Sequence, residues 1–252
     1  MGWVHLKRVA VVTGGGSGLG LAICQHLARQ GNSVAVLDID LASADAVAAG
    51  IRAEGGRAVS IAVDVANRTS VDEAMDRVRA ELGPIAILVT SAAVAGFTPF
   101  EEITLDLWNR ILAIKLTGTF NCAQSAIKDM VSAQWGRIVL ISSSAGQTGT
   151  ANQAHYSASK GGVIALMKTL ALEYGRKGIT VNSIPPFAIL TPNLTRWQAE
   201  GKLPPLDKIE QMIPVGRVGT PDDIAATCAF LCSDAAGYIT AQVISANGGA
   251  VR

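Results

Sequence analysis

Short runs of β-branched and apolar residues alternate with longer segments of helical periodicity along most of the chain. The apolar runs predict strands and the periodic segments predict helices. The first five elements are expected at Arg8 to Val12, Leu19 to Gln30, Ser33 to Leu37, Leu41 to Glu54 and Ala58 to Ala62. This βαβαβ order is typical of a parallel sheet whose strands are joined by crossover helices.

The same alternation continues into the second half of the chain. Further elements are predicted near Ser70 to Glu81, Ala86 to Val89, Leu105 to Ala133, Arg137 to Ile141, Asn152 to Gly175 and Ile179 to Ile184, after Thr220-Pro221, and at Val243 to Ala246. With 252 residues and no internal repeat, the chain is expected to form one domain over 1–252, two domains being the weaker interpretation.

The periodicity breaks between Pro185 and Pro214, where six prolines stand among bulky apolar residues. A loop of this length in a compact domain usually has a function. We therefore predict a substrate lid at about 187–213.

Composition narrows the classes of partner and location. Hydrophobic residues make up 49% and charged residues 16%, which suits a sheet covered on both faces and further burial in an oligomer. The net charge of +1, without a basic run, speaks against nucleic acid. No apolar stretch is long enough to span a bilayer, and Met1 to Lys7 lacks the core of a signal peptide. A cytoplasmic protein is expected.

The four cysteines give no sign of disulfide or metal chemistry. They are scattered among apolar neighbours and are expected to be reduced core residues. Cys228 and Cys232 lie one helical turn apart, but none of the three histidines completes a ligand cluster, so no metal site is predicted.

A glycine-rich segment, Thr13 to Gly20, joins the first strand directly to a helix. Glycines allow close backbone approach, and a helix N-terminus offers unpaired N–H groups and a positive dipole end to a pyrophosphate. Residues of this segment predicted to bind a dinucleotide are Gly14, Ser17, Gly18, Leu19 and Gly20. The alternative is an ordinary glycine-rich turn.

Asp38 stands at the end of the second strand, 18 residues after Gly20. A carboxylate there accepts hydrogen bonds from ribose hydroxyls and repels a 2′-phosphate, which favours NAD over NADP. Asp64 and Val65, after the third strand, are placed to reach the adenine. A solvated carboxylate at Asp38, and a capping or turn role for Asp64, are the alternatives.

Tyr156 and Lys160 are spaced i, i+4 on a predicted helix and so share one face. A tyrosine hydroxyl has a pKa of about 10, and lowering it by about three takes roughly 4 kcal/mol, which a neighbouring ammonium and oxidised nicotinamide would supply. Ser143 follows a strand and can donate to a substrate carbonyl oxygen. Alone, the Tyr and Lys spacing is far more often an exposed pair; the ordered set indicates proton transfer.

The sequence resembles the short-chain dehydrogenase/reductase family along nearly its whole length. The resemblance rests on Thr13-Gly14-x-x-x-Gly18-x-Gly20, the set Ser143, Tyr156 and Lys160, Val181-Asn182-Ser183, Pro186 with Thr191, and Asn247-Gly248-Gly249. It implies a Rossmann-like, doubly wound α/β fold of three layers with about seven parallel strands, and often a homotetramer.

The resemblance also implies roles for individual residues. Lys160 would bind the nicotinamide ribose, Ser91 and Ala92 would lie near the adenosine, and Pro186, Ile189 and Thr191 would lie near the nicotinamide. The sequence departs from the family at Thr90-Ser91-Ala92-Ala93. It also departs at Phe187 and Leu190, which are larger apolar residues and would lie beside the nicotinamide.

Lys115 is the departure with the greatest consequence, since the family usually has an Asn at this position whose main chain holds a proton-relay water. That role belongs largely to a backbone carbonyl at a helix distortion, so Lys115 could preserve it, and its amine could join the relay. A surface or subunit-interface lysine is the alternative. Like-charge repulsion from Lys160 could lower the pKa of either amine.

The predicted lid supplies a set of apolar side chains: Phe187, Leu190, Leu194, Trp197, Leu203, Leu206, Ile209 and Met212. With Val94, Phe97 and Gln153 they would favour a hydrophobic ketone or secondary alcohol. Sealing a core or a subunit contact is the other interpretation. We therefore expect an NAD-dependent oxidoreductase, with a non-catalytic NAD(H) sensor or scaffold and an imine-reducing enzyme as alternatives.

Overall fold

Six parallel strands form one sheet in the computed structural model, which describes residues 7–92, 94 and 96–251. The strands are β1 (Val9–Thr13), β2 (Ser33–Asp38), β3 (Ala58–Ala62), β4 (Ile85–Thr90), β5 (Gly136–Ile141) and β6 (Ile179–Ile184). Their spatial order is β3-β2-β1-β4-β5-β6. Most positions of the central strands are buried, as their continuous apolar runs require for a sheet covered on both faces.

Helices connect the strands and cover both faces of the sheet. They are α1 (Gly18–Arg29), α2 (Leu41–Ala53), α3 (Arg68–Leu82), α4 (Leu105–Leu112), α5 (Gly118–Ala133), α6 (Ala145–Thr148), α7 (Ala154–Tyr174), α8 (Pro192–Ala199), α9 (Leu206–Gln211) and α10 (Pro221–Leu231). Short 3₁₀ turns lie at Phe100–Glu102, Gly175–Lys177 and Asp234–Ala236.

Two apolar cores lie on opposite faces of the sheet. Helices α3, α5 and α7 pack on one face through residues such as Met75, Met130 and Met167. Helices α1, α2 and α10 pack on the other through residues such as Ile23 and Ile224. Burial of these apolar side chains is the main favourable contribution to folding. The predicted three-layer, Rossmann-like α/β architecture is confirmed.

The strand order reverses between β1 and β4, which are hydrogen-bonded neighbours with Thr13 opposite Thr90. In open parallel sheets a crevice forms at such a point, outside the carboxyl ends of the strands. The loops after β1, β4 and β5 therefore converge on one place, and these are the loops that carry most of the predicted site.

The prediction of a last strand at Val243 to Ala246 is wrong, and the described residues hold six strands rather than about seven. Val243 forms only an isolated bridge to Ser183. Ala241 has a positive φ of 61°, and the N–H of Ala246 bonds back to the carbonyl of Ile244, so the segment bends beside β6. A regular ladder cannot continue through these turns.

Two further segments differ from the predicted elements. The helix expected over Leu105 to Ala133 is interrupted at Ala113–Thr117, where one stretch of π-helix separates α4 from α5. The segment expected to be a loop, 187–213, contains the short helices α8 and α9.

The remaining structural expectations concern cysteines, metal and membrane. All four cysteines are free and buried, as predicted. Within the described ranges, no cluster of three or more His, Cys, Asp or Glu side chains could hold a metal ion. Among those residues, too, no helix combines the length and the apolar character needed to cross a membrane. The segment 1–6 and Ala93 lie outside the described residues.

Candidate active site

The glycine-rich loop after β1 is wedged between neighbouring backbones that leave no room for side chains. Gly14 has φ +67°, and a Cβ there would lie 2.7 Å from the Cα of Ala92. A Cβ on Gly20 would lie 2.0 Å from the carbonyl oxygen of Gly14. The N–H of Gly15 donates to the carbonyl of Leu37 at 3.0 Å. Glycine is therefore required by packing, which the pattern alone did not establish.

The N-terminus of α1 opens onto the crevice. Ser17 is its N-cap and is exposed, and its side chain makes no capping hydrogen bond among the described residues. A Cβ on Gly18 would meet only Thr191, at 3.8 Å, so this lid residue lies beside the loop. Free N–H groups at a helix start, with the dipole behind them, fit a pyrophosphate. Leu19, half-buried, packs behind the loop against the core.

Asp38 ends β2 with its carboxylate against the same loop. Its Oδ2 accepts from the N–H of Gly16 at 2.9 Å, and its Oδ1 accepts from the N–H of Asp40 at 3.1 Å. Each oxygen keeps a lone pair, so the carboxylate can also accept from ribose hydroxyls. The neighbouring Ile39 is exposed. Asp38 is half-buried and braces the loop, so its carboxylate is only partly solvated.

Asp64 is a turn residue in this structure. It is exposed, and its Oδ1 accepts from the N–H of Ala66 at 3.0 Å, while its N–H donates to Ser70 Oγ. Val65 is buried, and its carbonyl accepts from the side-chain amide of Asn121 at 3.0 Å. Asp64 thus has the turn role that was the alternative interpretation, and its second carboxylate oxygen is still available to accept a hydrogen bond.

The loop after β4 is tied to the end of β1. The N–H of Ser91 donates to the carbonyl of Thr13 at 3.1 Å and lies 3.3 Å from its Oγ1, which is 3.5 Å from the N–H of Ala92. Sequence reasoning missed Thr13 and Asn121 as residues that fix these loops. The available signals were a hydroxyl directly before the first glycine and an amide inside an apolar helix.

Tyr156 and Lys160 lie on the first turns of α7, and Ser143 follows β5. Burial raises the pKa of Tyr156, and a hydrogen bond with the side chain of Ser143 acts in the opposite direction. Lys160 is 5% exposed, its Nζ donates to the carbonyl of Ile141 at 2.5 Å, and burial lowers its pKa to about 8. The structure thus places the phenol of Tyr156 beside the hydroxyl of Ser143, with the amine of Lys160 buried one turn further along the same helix.

Lys115 lies in the π-helical segment and is only 1% exposed, so a surface lysine is excluded for the isolated chain. Its Nζ stands 4.7 Å from the centroid of the Tyr156 ring. Burial, with the nearby charge of Lys160, holds the pKa of this amine well below its usual value. The carbonyl of Lys115 accepts from the hydroxyl of Thr119 at 2.7 Å. The helix distortion implied by the family resemblance is present.

Two aromatic residues of different segments meet beside the start of α7. The carbonyl of Gly96 accepts from the side chain of Gln153 at 3.3 Å, and the N–H of Thr98 donates to the carbonyl of Asn152 at 2.8 Å. These bonds fix Phe97, the residue between, beside the start of α7. Its ring meets that of Trp197 on α8 at 5.4 Å, edge to face.

The lid segment has its own small apolar cluster. Ile209, Ile213 and Val218 are buried together, with Phe187, Leu203 and Leu206 packed against them. Near its start, the carbonyl of Pro186 accepts from the N–H of Ser144 at 3.0 Å, and Ile189 is buried and bridges Gly219. Leu190, Met212 and Val94 are exposed. The first part of the segment is thus fastened to the Ser143 loop.

Comparisons with known proteins show related sequences and a shared fold. A family model described as enoyl-(acyl carrier protein) reductase matches residues 14–251. The D-threitol dehydrogenase of Mycolicibacterium smegmatis is 41% identical over 96% of this chain and 92% of its own length. The acetoacetyl-CoA reductase of Shinella zoogloeoides is 43% identical over 97% and 98%. The crystal structure of gox2181 superimposes with a TM-score of 0.92, at 34% identity over 96% of this chain and 95% of that one.

Proposed function

Since the chain belongs to the short-chain dehydrogenase/reductase family of oxidoreductases, we propose that it interconverts a hydrophobic ketone and a secondary alcohol with NAD(H). The observation that supports the proposal is the contact of Ser143 with Tyr156, with Lys160 buried one turn further along the same helix. Both the glycine-rich loop and these three side chains stand at the carboxyl end of the sheet, where a cofactor and a substrate can meet.

The dinucleotide would lie across the crevice between β1 and β4. The N-terminal N–H groups of α1 would bind its pyrophosphate, and Asp38 would accept from its ribose hydroxyls. Asp64 and Val65 would line the adenine side, Ser91 and Ala92 the adenosine side, and Pro186, Ile189 and Thr191 the nicotinamide side. When bound, NAD(H) supplies or accepts the hydride.

The protein's own residues would handle the proton. The hydroxyl of Ser143 donates a hydrogen bond to the carbonyl oxygen and holds it in place, and Tyr156 gives that oxygen a proton during reduction or removes it during oxidation. Lys160, in the resting structure bonded to Ile141, supplies positive charge that favours the phenolate. Its ammonium would also bind the nicotinamide ribose.

The substrate would be a ketone or alcohol with an apolar body. Phe97 and Trp197 would offer it an aromatic wall, and the apolar side chains of the lid segment would cover it. A lid that closes over the nicotinamide would exclude water and favour hydride transfer. A homotetramer in the cytoplasm remains our prediction for the assembled enzyme and its location.

A panel assay tests this proposal. Purified protein would be mixed with NADH and, in parallel, NADPH, against aryl, cyclic and β-keto ketones, and cofactor oxidation would be followed by absorbance. We expect turnover with NADH and a bulky ketone. Tight NADH binding without turnover of any ketone would contradict the proposal and support the sensor or scaffold, the alternative that the unusual Lys115 keeps open.

A further inference from the structure

The amine of Lys115 is buried beside the proposed catalytic tyrosine without a structural partner. Its Nζ makes no hydrogen bond to any residue of 7–92, 94 or 96–251, and its side chain is 1% exposed. Helix α7 approaches closely, since a Cβ on Gly162 would lie 2.9 Å from the side chain of Leu116. The amine is therefore enclosed by packed helices.

Packing alone does not explain an amine at this place. A polar group removed from water without a hydrogen bond destabilises the fold, and an apolar side chain of similar length would fill the same space without that cost. The adjacent Ile114 and Leu116 are apolar and pack against the core. The amine thus costs stability, which is typical of groups kept for function.

The surroundings of Lys115 contain a proton donor and a second amine. From α7 it faces the ring of Tyr156, at 4.7 Å, and the positive charge of Lys160. Among the described residues of α4, α5 and α7, no carboxylate contributes to its electrostatic environment. Tyr156 is therefore the group here whose ionisation would give Lys115 an opposite charge.

Burial penalises each ion when it forms alone. It raises the pKa of Tyr156 and lowers that of Lys115. A phenolate and an ammonium formed together would attract one another, and each would offset part of the other's penalty. Moving one proton between the two groups also leaves the net charge of the buried site unchanged.

We propose that the amine of Lys115 takes up the proton when Tyr156 ionises, so that phenolate and ammonium form as a pair. The O–H bond of Tyr156 breaks, its electron pair stays on the oxygen, and an N–H bond forms at Nζ, with one bridging water relaying the proton between hydroxyl and amine. Nothing is oxidised or reduced. Lys115 acts through Tyr156 and does not touch the substrate.

The use of this pair in catalysis rests on the proposed function. The phenolate would be ready to remove the proton of an alcohol, and the ammonium would return the proton after ketone reduction. Lys160 is less suited to this exchange, because its Nζ already donates to the carbonyl of Ile141. The two lysines would thus have separate tasks, one held in place by its bond to Ile141 and one exchanging its proton with Tyr156.

The test titrates Tyr156 directly in protein without cofactor. Ultraviolet difference spectra between each protein and its Tyr156→Phe derivative report the tyrosinate of this one residue among the three tyrosines. The variants are Lys115→Met, which keeps the length without the amine, and Lys168→Met as a control on the exposed face of α7. Lys115→Asn carries the same test if Lys115→Met does not fold.

The native protein and the Lys168→Met control should show tyrosinate appearing in two steps, as expected for two coupled groups. Lys115→Met should show one step, displaced upward by about one pH unit or more. The same variant should raise the Tm by roughly 2–4 °C, since a buried unpaired amine is removed. A single, unshifted step in both the native protein and Lys115→Met would overturn the proposal.

Measurements of enzymatic activity distinguish a failure of this proposal from a failure of the proposed function. With an alcohol substrate, Lys115→Met should lose kcat on the acid side of the pH profile while its KM for the cofactor changes little. If the native protein turns over no substrate, the proposed function fails, and the titration still decides the role of Lys115. If turnover is normal and all titrations coincide, only the proton exchange is wrong.

Discussion

Replacing Asp38 by Asn should change cofactor preference more than any other single loss of charge in its loop. The Asp38 carboxylate accepts N–H groups from Gly16 and Asp40 on its two oxygens. An amide at position 38 can accept only one of them and turns its NH₂ group toward the other. The substitution therefore removes both a charge and an acceptor from the place where the ribose would bind.

The magnitude follows from the two contacts that NADH and NADPH would make. A hydrogen bond to a charged acceptor contributes about 1.5–3 kcal/mol, so its loss should weaken NADH roughly 10- to 100-fold. Repulsion of the 2′-phosphate by a half-buried, screened carboxylate is about 1 kcal/mol, and its loss favours NADPH. Together, the ratio of kcat/KM for NADH over NADPH should fall by about 10²- to 10³-fold.

The matched control is Asp40→Asn, two residues along the chain. Asp40 is exposed and caps α2 by accepting from the N–H of Ala42, a role that Asn fills equally well. It removes the same charge without touching the phosphate loop, so the ratio should change less than about threefold. Equal ratios in the two variants, or a native enzyme that prefers NADPH, would refute the assignment of Asp38.

Three further predictions concern packing, pH and the substrate wall. Gly20→Ala should abolish NADH binding and lower the Tm, because its Cβ would overlap a backbone oxygen. Gly50→Ala, in open space in the last turn of α2, should leave binding unchanged, and equal binding of NADH by both variants would contradict the packing argument. Because burial lowers the pKa of Lys160 from 10.5 to about 8, this group binds fewer protons in the folded state than in the unfolded state in that window, so its contribution to the free energy of unfolding should rise by about 3 kcal/mol between pH about 8 and about 10.5. Denaturant titrations should show the free energy of unfolding of the native protein gaining about this much relative to that of Lys160→Met over the window, and the same pH dependence in both proteins would count against it. Trp197→Ala and Phe97→Ala should each raise the KM for a bulky ketone, and a double-mutant cycle should give a coupling of about 0.5–1.5 kcal/mol for their edge-to-face contact, whereas additive effects would place the rings apart in solution.

The βαβ core was predictable because its strands are buried on both faces and therefore read as unbroken apolar runs. The region after Gly237 was not, because the positive φ of Ala241 and the tight turns beyond Ile244 depend on the contact with β6, which lies far away in sequence. The π-helical stretch at Ala113–Thr117 carries no local signal in its apolar spacing. Only the family resemblance indicated a distortion there.

The sequence indicated which residues could form the candidate site, but it did not indicate how their side chains are bonded. Spacing on a helix gave the shared face of Tyr156 and Lys160, yet it could not show that the lysine bonds to Ile141. Sequence left Lys115 between a relay role and a surface position, and only the packing of α7 against the π-helical segment shows that the residue is buried. Asp64 likewise needed the structure to show its turn.

The central claim is that Tyr156 exchanges the proton during hydride transfer, and one comparison tests it most directly. NADH oxidation by the best ketone of the panel would be measured in Tyr156→Phe and in Tyr174→Phe, a control at the far end of α7, with NADH binding measured alongside by fluorescence. We expect Tyr156→Phe to bind NADH normally and to lose about 10²- to 10⁴-fold in turnover, while Tyr174→Phe stays near native. Undiminished turnover in Tyr156→Phe would contradict the account.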